Sequence, residues 1–267
     1  MTRRDRRRGA RTPAAMTALA ALAIGFVLLP FAGLLQRAPW SDLGAQFAEP
    51  GVRDALGLSI STAASATALS LVLGVPLAWL LARTTFPGRA LVRALVLLPM
   101  VLPPVVGGAA LLFALGRRGL VGQWLDQWLG IRLPFTTAGV VVAETFVAMP
   151  FLVVTVEAAL RGMDRRYEDA AATLGAGRWR VFAQVTLPLI GPSLAAGAVL
   201  CWARALGEFG ATITFAGNLQ GRTQTLPLAV FEALERDRGA AIALSLVLVA
   251  VSLTVLALLR DRWFAVS

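Results

Sequence analysis

The sequence has no histidine, no lysine and only one cysteine, and charged residues make up just 15% of it. The lack of histidine removes the commonest metal ligand and the usual general base at neutral pH. The single cysteine, Cys201, allows no intramolecular disulfide and no metal site built from several cysteines. The chain also lacks a glycine-rich phosphate-binding loop, so any ATP hydrolysis would have to occur on another chain. These absences argue against an enzyme, and we assign no catalytic residue, metal ligand or cofactor to this chain.

The sequence is rich in apolar residues instead. Hydrophobic residues make up 57% of the chain, and the mean hydropathy is +0.72. Soluble domains are closer to half apolar and interleave their apolar residues with charge. Here long apolar blocks alternate with short charged segments. This pattern predicts an all-α, polytopic membrane protein.

All 25 basic residues are arginine, and the net charge is +10. Such a balance could indicate nucleic-acid binding. The positive-inside bias explains it better, because arginines collect in the cytoplasmic loops of membrane proteins. In the layout given below, 16 arginines fall in inner segments, 8 in outer segments and Arg204 within a span. We therefore expect a multi-pass protein of the cell membrane with both termini cytoplasmic, and no nucleic-acid partner.

Six apolar blocks are long enough to span a bilayer, which takes about 20 residues. The first block could also be a signal peptide, but a signal-peptide core usually has about 7 to 15 apolar residues, so we expect an uncleaved span. The predicted transmembrane helices are residues 16–35, 56–82, 94–115, 137–160, 190–216 and 239–259. The chain then divides into a basic tail (1–15), a first helix with its outer loop (16–54), the main transmembrane domain (55–260) and a cytoplasmic end (261–267).

Proline and glycine interrupt the third span. Pro99, Pro103, Pro104, Gly107 and Gly108 predict a helix that is broken near its start. Inside a membrane, freed backbone groups are tolerated only where protein or a water-lined cavity satisfies them. The break therefore either lines a transport pathway or is a simple packing kink.

Aromatic and acidic residues mark the next part of the chain. Trp124 and Trp128 lie at helical spacing and predict a short amphipathic helix in the outer interface. Glu144 and Glu157 fall within the fourth span or at its end. An intramembrane carboxylate such as Glu144 could serve a pathway, whereas we expect Glu157 at the inner interface.

Residues 167–188, which read YEDAAATLGAGRWRVFAQVTLP, form a polar island between the fourth and fifth spans. The segment predicts two short helices separated by Gly175, a natural helix stop. Ala170, Ala171 and Leu174 would share one face, and a small apolar face can sit in a groove of another protein. We therefore expect a docking element for a soluble partner. An ordinary basic loop is the alternative, but it leaves the alanines and the glycine unexplained.

The spacing of this segment resembles a motif of the permease subunits of binding-protein-dependent ABC importers. That motif reads Glu-Ala-Ala, three residues, Gly, nine residues, and Ile-x-Leu-Pro. The matching positions here are Asp169, Ala170, Ala171, Gly175, Val185, Leu187 and Pro188. Asp169 stands for the usual glutamate and Val185 for the usual isoleucine. Glu168 comes directly before Asp169, so either carboxylate could take the family role.

The resemblance implies the fold and the assembly of this family. It implies a type I ABC importer permease fold, in which residues 161–188 are the cytoplasmic coupling element and sit in a groove of an ATP-binding subunit. The implied partners are a second copy of this chain, two ATP-binding cassette subunits that carry ATP and magnesium, a substrate-binding protein outside, and the lipid bilayer. Closure of the ATP-binding subunits would then drive alternating access of the spans.

Two further stretches are similar to molybdate permease subunits. Residues 203–231 (ARALGEFGATITFAGNLQGRTQTLPLAVF) resemble their fifth-span region, and residues 102–122 resemble their third-span region. The resemblance covers most of residues 55–260. It implies import of molybdate, or of tungstate, with an extracytoplasmic molybdate-binding protein. Sulfate permeases share the ALGEFG part, so a sulfate or thiosulfate importer is the first alternative. An ion-coupled secondary transporter, which would not need residues 167–188, is the second.

The fifth span holds the candidates for an anion pathway, which needs donors and positive potential without too deep a trap. Arg204 and Glu208 are one helical turn apart and predict an ion pair, which lowers the cost of both charges in the membrane. The pair either guides the anion or fixes this span against its neighbours. The remaining candidates are Pro104 at the break in the third span, Gly207 and Gly210, which allow close approach or local unwinding, and Thr212, a neutral donor.

Overall fold

The computed structural model describes residues 14–263, which are helical apart from short connections and include no strand. Most of the predicted basic tail and the last four residues of the predicted cytoplasmic end lie outside the described residues. In chain order the helices are α1 (Ala14–Gln36), α2 (Leu43–Ala48), α3 (Pro50–Arg83), α4 (Arg89–Val101), α5 (Pro104–Leu115), α6 (Gly122–Leu129), α7 (Thr137–Gly162), α8 (Arg166–Thr173), α9 (Arg178–Val181), a π-helical turn (Phe182–Thr186), α10 (Leu187–Leu189), α11 (Gly191–Leu206), α12 (Gly210–Phe215), α13 (Leu226–Arg236) and α14 (Arg238–Trp263).

Membrane spans are of two kinds. Four helices, α1, α3, α7 and α14, are each long and apolar enough to cross a membrane alone. Two further spans are bent. The helix axis turns by 120° between α4 and α5, and by 74° between the helical stretch Arg178–Leu189 and α11. When each bent pair is one span, the described part of the chain has six. The predicted all-α fold with six spans is confirmed.

The break predicted in the third span is present, but it lies in the middle of the span rather than near its start. The span begins earlier than expected, at Arg89, and α4 runs to Val101 before α5 begins at Pro104. Proline disfavours a helical conformation in the residue before it, and Leu102, which precedes Pro103, is extended with ψ 140°. The bend therefore follows directly from the proline pair.

Helices α3, α7 and α11 form the centre of the bundle. Helix α3 turns small and hydroxylated side chains inward, including Ser59, Thr62 and Ala63. Helix α7 packs along α3 and contributes large, fully buried apolar residues such as Leu160 and Leu152, the latter beside Gly74 of α3. Small residues allow this close approach, which matters in lipid because the hydrophobic effect does not drive helices together there.

Helix α1 lies at the periphery, where its main neighbour is α14. It has no buried residue, and large side chains such as Phe26 and Leu29 are at least 70% exposed. A helix that is apolar all round and uncovered by its own chain requires lipid or a second chain around it.

The short amphipathic helix predicted from Trp124 and Trp128 is α6, and the two rings lie 5.3 Å apart. Asp126 accepts hydrogen bonds from Arg132 Nε at 2.8 Å and from Arg117 Nε at 3.4 Å. The hydrogen bond from Arg132 is the main reason that the pKa of the Asp126 carboxyl lies below its ordinary value, and Arg117 adds to it. These contacts fix α6 to the loops on either side of it.

Candidate functional site

Residues 167–188, called the coupling segment below, contain two short helices as predicted. Helix α8 ends at Thr173, and Gly175 follows with φ +86°. In this left-handed conformation the Gly175 amide donates to Ala172 O and the Ala176 amide to Ala171 O, so the last carbonyls of α8 are satisfied. A Cβ on Gly175 would meet nothing within 4 Å. Glycine is required here by the backbone conformation and not by lack of space.

The coupling segment presents an uncovered apolar surface. Leu174 is 88% exposed and Trp179 77% exposed, and Tyr167 is also mostly exposed. Of the three residues predicted to share a face, Ala170 and Leu174 are exposed and Ala171 is half-buried. Exposed apolar residues that are grouped on a short, well-formed segment mark a contact surface for another molecule.

Glu168 and Asp169 point in different directions. Glu168 turns into the chain, where its Oε2 lies 3.2 Å from Arg83 Nη2 and its Oε1 accepts a 2.7 Å hydrogen bond from the Thr186 hydroxyl. Asp169 is exposed and forms no ion pair with any residue that the structure describes. Glu168 therefore serves as an internal contact, and Asp169 is the carboxylate that is open to a partner.

The end of the motif lies in a distorted helix. Val185 is half-buried in the π-helical turn, and Thr186, the donor to Glu168, is 1% exposed. Leu187 and Pro188 follow in α10, with Pro188 exposed. π-Helical turns are rare and occur often at functional sites. Here the turn places Thr186 against α8, where its hydroxyl reaches Glu168, 18 residues earlier in the sequence.

Inside the bundle, α5 of the bent third span meets α12, which follows α11 after a second break at residues 207–209. A Cβ on Gly108 of α5 would lie 2.7 Å from Ala211 O of α12, and a Cβ on Gly210 would lie 2.8 Å from Pro104 Cβ. Neither distance leaves room for a side chain. The structure therefore brings Pro104 and Gly210, two of the predicted pathway residues, into direct backbone contact at the ends of two broken helices.

The ion pair predicted in the fifth span is present, with Arg204 Nη2 2.6 Å from Glu208 Oε2. Glu208 lies in the break between α11 and α12, after Gly207, and its Oε1 accepts a 2.8 Å hydrogen bond from the Ala211 amide. The Arg204 side chain is 27% exposed, whereas Glu208 is 1% exposed. Thus the pair shows its guanidinium, and not its carboxylate, to the surroundings.

The bundle holds other buried polar groups that sequence reasoning left without a partner. Thr62 of α3 donates a 2.9 Å hydrogen bond to Glu144 Oε1 of α7, and Glu144 is 1% exposed. Thr212 is fully buried, and its hydroxyl has no hydrogen-bond partner among the described residues. Glu157, which we expected at the inner interface, is 2% exposed, and Arg93 of α4 and Arg161 of α7 approach it. The Glu157–Arg161 pair is four residues apart on α7 and has a local signal, whereas Thr62 and Arg93 approach their carboxylates from other helices, which no local signal reveals.

These features define an integral membrane protein: an all-helical bundle of six spans, two of them bent, with a structured segment of two short helices at one end. The match of a family model gives the particular family. The model of the "binding-protein-dependent transport system inner membrane component" matches residues 74–266. The chain belongs to this family, as the motif in the coupling segment indicated.

Relatives and solved structures agree with this assignment. The chain is 50% identical over 231 residues to the molybdenum transport system permease protein ModB of Mycobacterium tuberculosis, with 86% of each chain covered. It is 45% identical to ModB of Escherichia coli, with 78% of this chain and 91% of the relative covered. The sulfate transport system permease protein CysT of E. coli is 38% identical, with 86% and 84% covered.

The fold is similar to that of a bacterial ABC transporter involved in the import of the acidic polysaccharide alginate. The TM-score is 0.69 at 19% identity, and 94% of each chain is covered. The MetNI methionine ABC transporter gives a TM-score of 0.60 at 18% identity, with 81% of this chain and 94% of that chain covered. The predicted ABC importer permease fold is confirmed.

Proposed function

We propose that this chain is the transmembrane subunit of an ABC importer for molybdate, which also admits tungstate. The observation that carries the substrate is the degree of relatedness: 50% identity to a molybdenum permease against 38% to a sulfate permease over similar lengths. The shared ALGEFG sequence, residues 205–210, keeps sulfate or thiosulfate as the second candidate. This stretch forms the break between α11 and α12, where both kinds of permease would need the same backbone.

The proposed assembly is a homodimer of this chain with two ATP-binding subunits and an extracytoplasmic molybdate-binding protein. ATP and magnesium would bind to the ATP-binding subunits, because this chain has no phosphate-binding loop. The arginine-rich end of the bundle, which includes Arg83, Arg89, Arg93 and Arg161, would face the cytoplasm together with both termini. The uncovered apolar surface of α1 is available to lipid or to the second copy.

The coupling segment would receive the ATP-binding subunit on its exposed side. Asp169, Ala170 and Leu174 are exposed there, and Gly175 fixes the end of α8. On the inner side, Glu168 joins the segment to Arg83 at the end of α3 and to Thr186. A movement of the ATP-binding subunit would therefore pass through α8 into α3, which packs against α7 and α11 at the centre of the bundle.

The anion pathway would run past the breaks in the third and fifth spans. Pro104, Gly207, Gly210 and Thr212 belong to these breaks, and Arg204 offers a partly exposed guanidinium beside them. Glu208 does not oppose a dianion, because it is buried and engaged by Arg204 and the Ala211 amide. Alternating access would then require α5 and α12 to move together, since their backbones touch.

Uptake by the reconstituted complex tests the proposal. Proteoliposomes would hold this chain with its ATP-binding subunit, and the binding protein would be added outside. We expect ATP-dependent accumulation of labelled molybdate that unlabelled tungstate suppresses and equimolar sulfate leaves unchanged. Suppression by sulfate instead would favour the second candidate. Uptake that continues without ATP, driven by an ion gradient, would contradict an ABC importer.

A further inference from the structure

Three arginines line an open cavity of about 570 Å³ near the end of the bundle that carries the coupling segment. Arg89 and Arg93 come from the first turns of α4, and Arg161 comes from the last turn of α7. The other lining residues are Ala90, Ala94 and Leu97. The cavity therefore combines a basic side with a small, apolar wall.

The charge in this cavity is only partly balanced. Glu157 is buried, with Arg161 Nη2 2.5 Å from its Oε1 and Arg93 Nε 3.3 Å from its Oε2. Arg89 forms no ion pair with any residue whose side chain the structure describes. Three guanidinium groups thus face one carboxylate, and two positive charges remain for a ligand.

Backbone donors add to the basic side chains. Helix α4 has 13 residues and begins at Arg89, after Gly88 in a left-handed conformation. The Val92 amide donates to Gly88 O, but the amides of Ala90 and Leu91 donate to no residue in the described chain. Free first-turn amides and the helix dipole favour an anion at this position. They act on the same cavity as the arginines, since Arg89 and Ala90 both line it.

We propose that this cavity binds a tetrahedral oxyanion. The planar guanidinium fork matches the oxygen spacing of such a group, and the excess charge attracts it. One source is the phosphate of an anionic phospholipid, for which the exposed Leu91 and Leu95 of α4 would contact the acyl chains. The other source is the free dianion at the cytoplasmic mouth of the transporter. Both use the same donors, and binding measurements separate them.

Arg89→Gln is the test variant, because it removes a charge that no carboxylate in the described chain needs. Arg118→Gln is the control: Arg118, which is exposed where Arg89 is half-buried, also forms no ion pair with a side chain that the structure describes, and it lies outside the cavity. Both variants would be purified in complex with the ATP-binding subunit. Labelled molybdate is titrated into complexes in phosphatidylcholine nanodiscs, and retained phosphatidylglycerol is measured by native mass spectrometry in mixed nanodiscs.

We expect Arg89→Gln to weaken binding of one of these probes about tenfold or more, and Arg118→Gln to leave both unchanged. Weaker molybdate binding alone identifies a site for the free oxyanion, and weaker phosphatidylglycerol retention alone identifies a lipid site. Ala94→Glu, which places a carboxylate in the cavity, is the second variant and should act in the same direction. Wild-type binding of both probes by Arg89→Gln and by Ala94→Glu would overturn the proposal. The lipid measurement needs no transported substrate, so its result stands even if the proposed function fails.

Discussion

Glu168 and Arg83 form an ion pair that joins the coupling segment to the last turn of α3, with 3.2 Å between Oε2 and Nη2. Their side chains are only 17% and 8% exposed. The Thr186 hydroxyl donates to the second oxygen of the same carboxylate. One side chain therefore connects α8, the π-helical turn and a central helix of the bundle.

Glu168→Gln should uncouple ATP hydrolysis from transport. The substitution keeps an acceptor for Thr186 but leaves the largely buried Arg83 without its counter-charge, which weakens the joint between α8 and α3. We expect the complex to hydrolyse ATP while the molybdate imported per ATP falls several-fold. Uptake and phosphate release measured together in proteoliposomes give this ratio.

Asp169→Asn is the matched control for this change. It removes the same charge from the neighbouring residue, but Asp169 is exposed and has no internal ion pair among the described residues. Asp169→Asn should weaken binding of the ATP-binding subunit and leave the ratio unchanged. The double exchange Arg83→Glu with Glu168→Arg should restore coupling in part. A wild-type ratio in Glu168→Gln would show that the pair does not transmit motion.

Glu168 also shows how far the sequence alone could lead. The motif spacing, the prolines of the third span and the Trp124–Trp128 pattern are local signals. The structure confirms the helices and the break that they predicted, although the break lies in the middle of the third span. The direction of Glu168 depends on Arg83, which is distant in sequence. The same holds for Thr62 and Glu144, which are 82 residues apart. Such contacts are fixed by helix packing, and the spacing of residues along a single sequence does not predict them.

Gly175→Val should damage coupling through the backbone. Gly175 has φ +86°, a conformation that a β-branched residue adopts at a cost of roughly 1–3 kcal/mol. The end of α8 would shift, and binding of the ATP-binding subunit and ATP-driven uptake should both fall. Gly177→Val is the control, because Gly177 has φ −65° and ψ 157° and a Cβ there meets nothing within 4 Å. Equal effects of the two variants would refute the role of the left-handed turn.

Protonation of Asp126 should release α6. Because the folded-state pKa of this carboxyl lies below its ordinary value of 3.8, the contacts with Arg132 and Arg117 contribute stability that is present above that value. This stability is lost as pH falls below 3.8 through the lower, folded-state pKa. After correction for the intrinsic pH dependence of exchange, the amide protection of α6 should stay constant between pH 7 and about 5 and should drop as the pH falls below 3.8. Asp126→Asn should lack the drop and be less protected at neutral pH.

Gly108→Ala should disturb the contact between the two broken spans. The new Cβ would lie 2.7 Å from Ala211 O and 2.8 Å from Thr214 Cβ, so the backbones of α5 and α12 must separate. We expect a loss of about 1–3 kcal/mol in stability and a larger fractional loss of uptake. Gly57→Ala, in α3, is the control, since its Cβ meets nothing within 4 Å and alanine favours the helix. Thermal unfolding in detergent compares the two, and similar melting temperatures would contradict the close approach.

Arg204→Gln should abolish molybdate uptake while the complex with the ATP-binding subunit still assembles. The guanidinium is 27% exposed beside the break in the fifth span, whereas its partner Glu208 is 1% exposed, so an anion would meet the positive group. Glu208→Gln separates this role from a purely structural one. If Arg204 contacts the anion, Glu208→Gln frees its guanidinium, keeps an acceptor for the Ala211 amide, and should retain uptake. If the pair only fixes α11 to α12, both variants should lose uptake together. Co-purification reports assembly, and normal uptake by Arg204→Gln would rule out both roles.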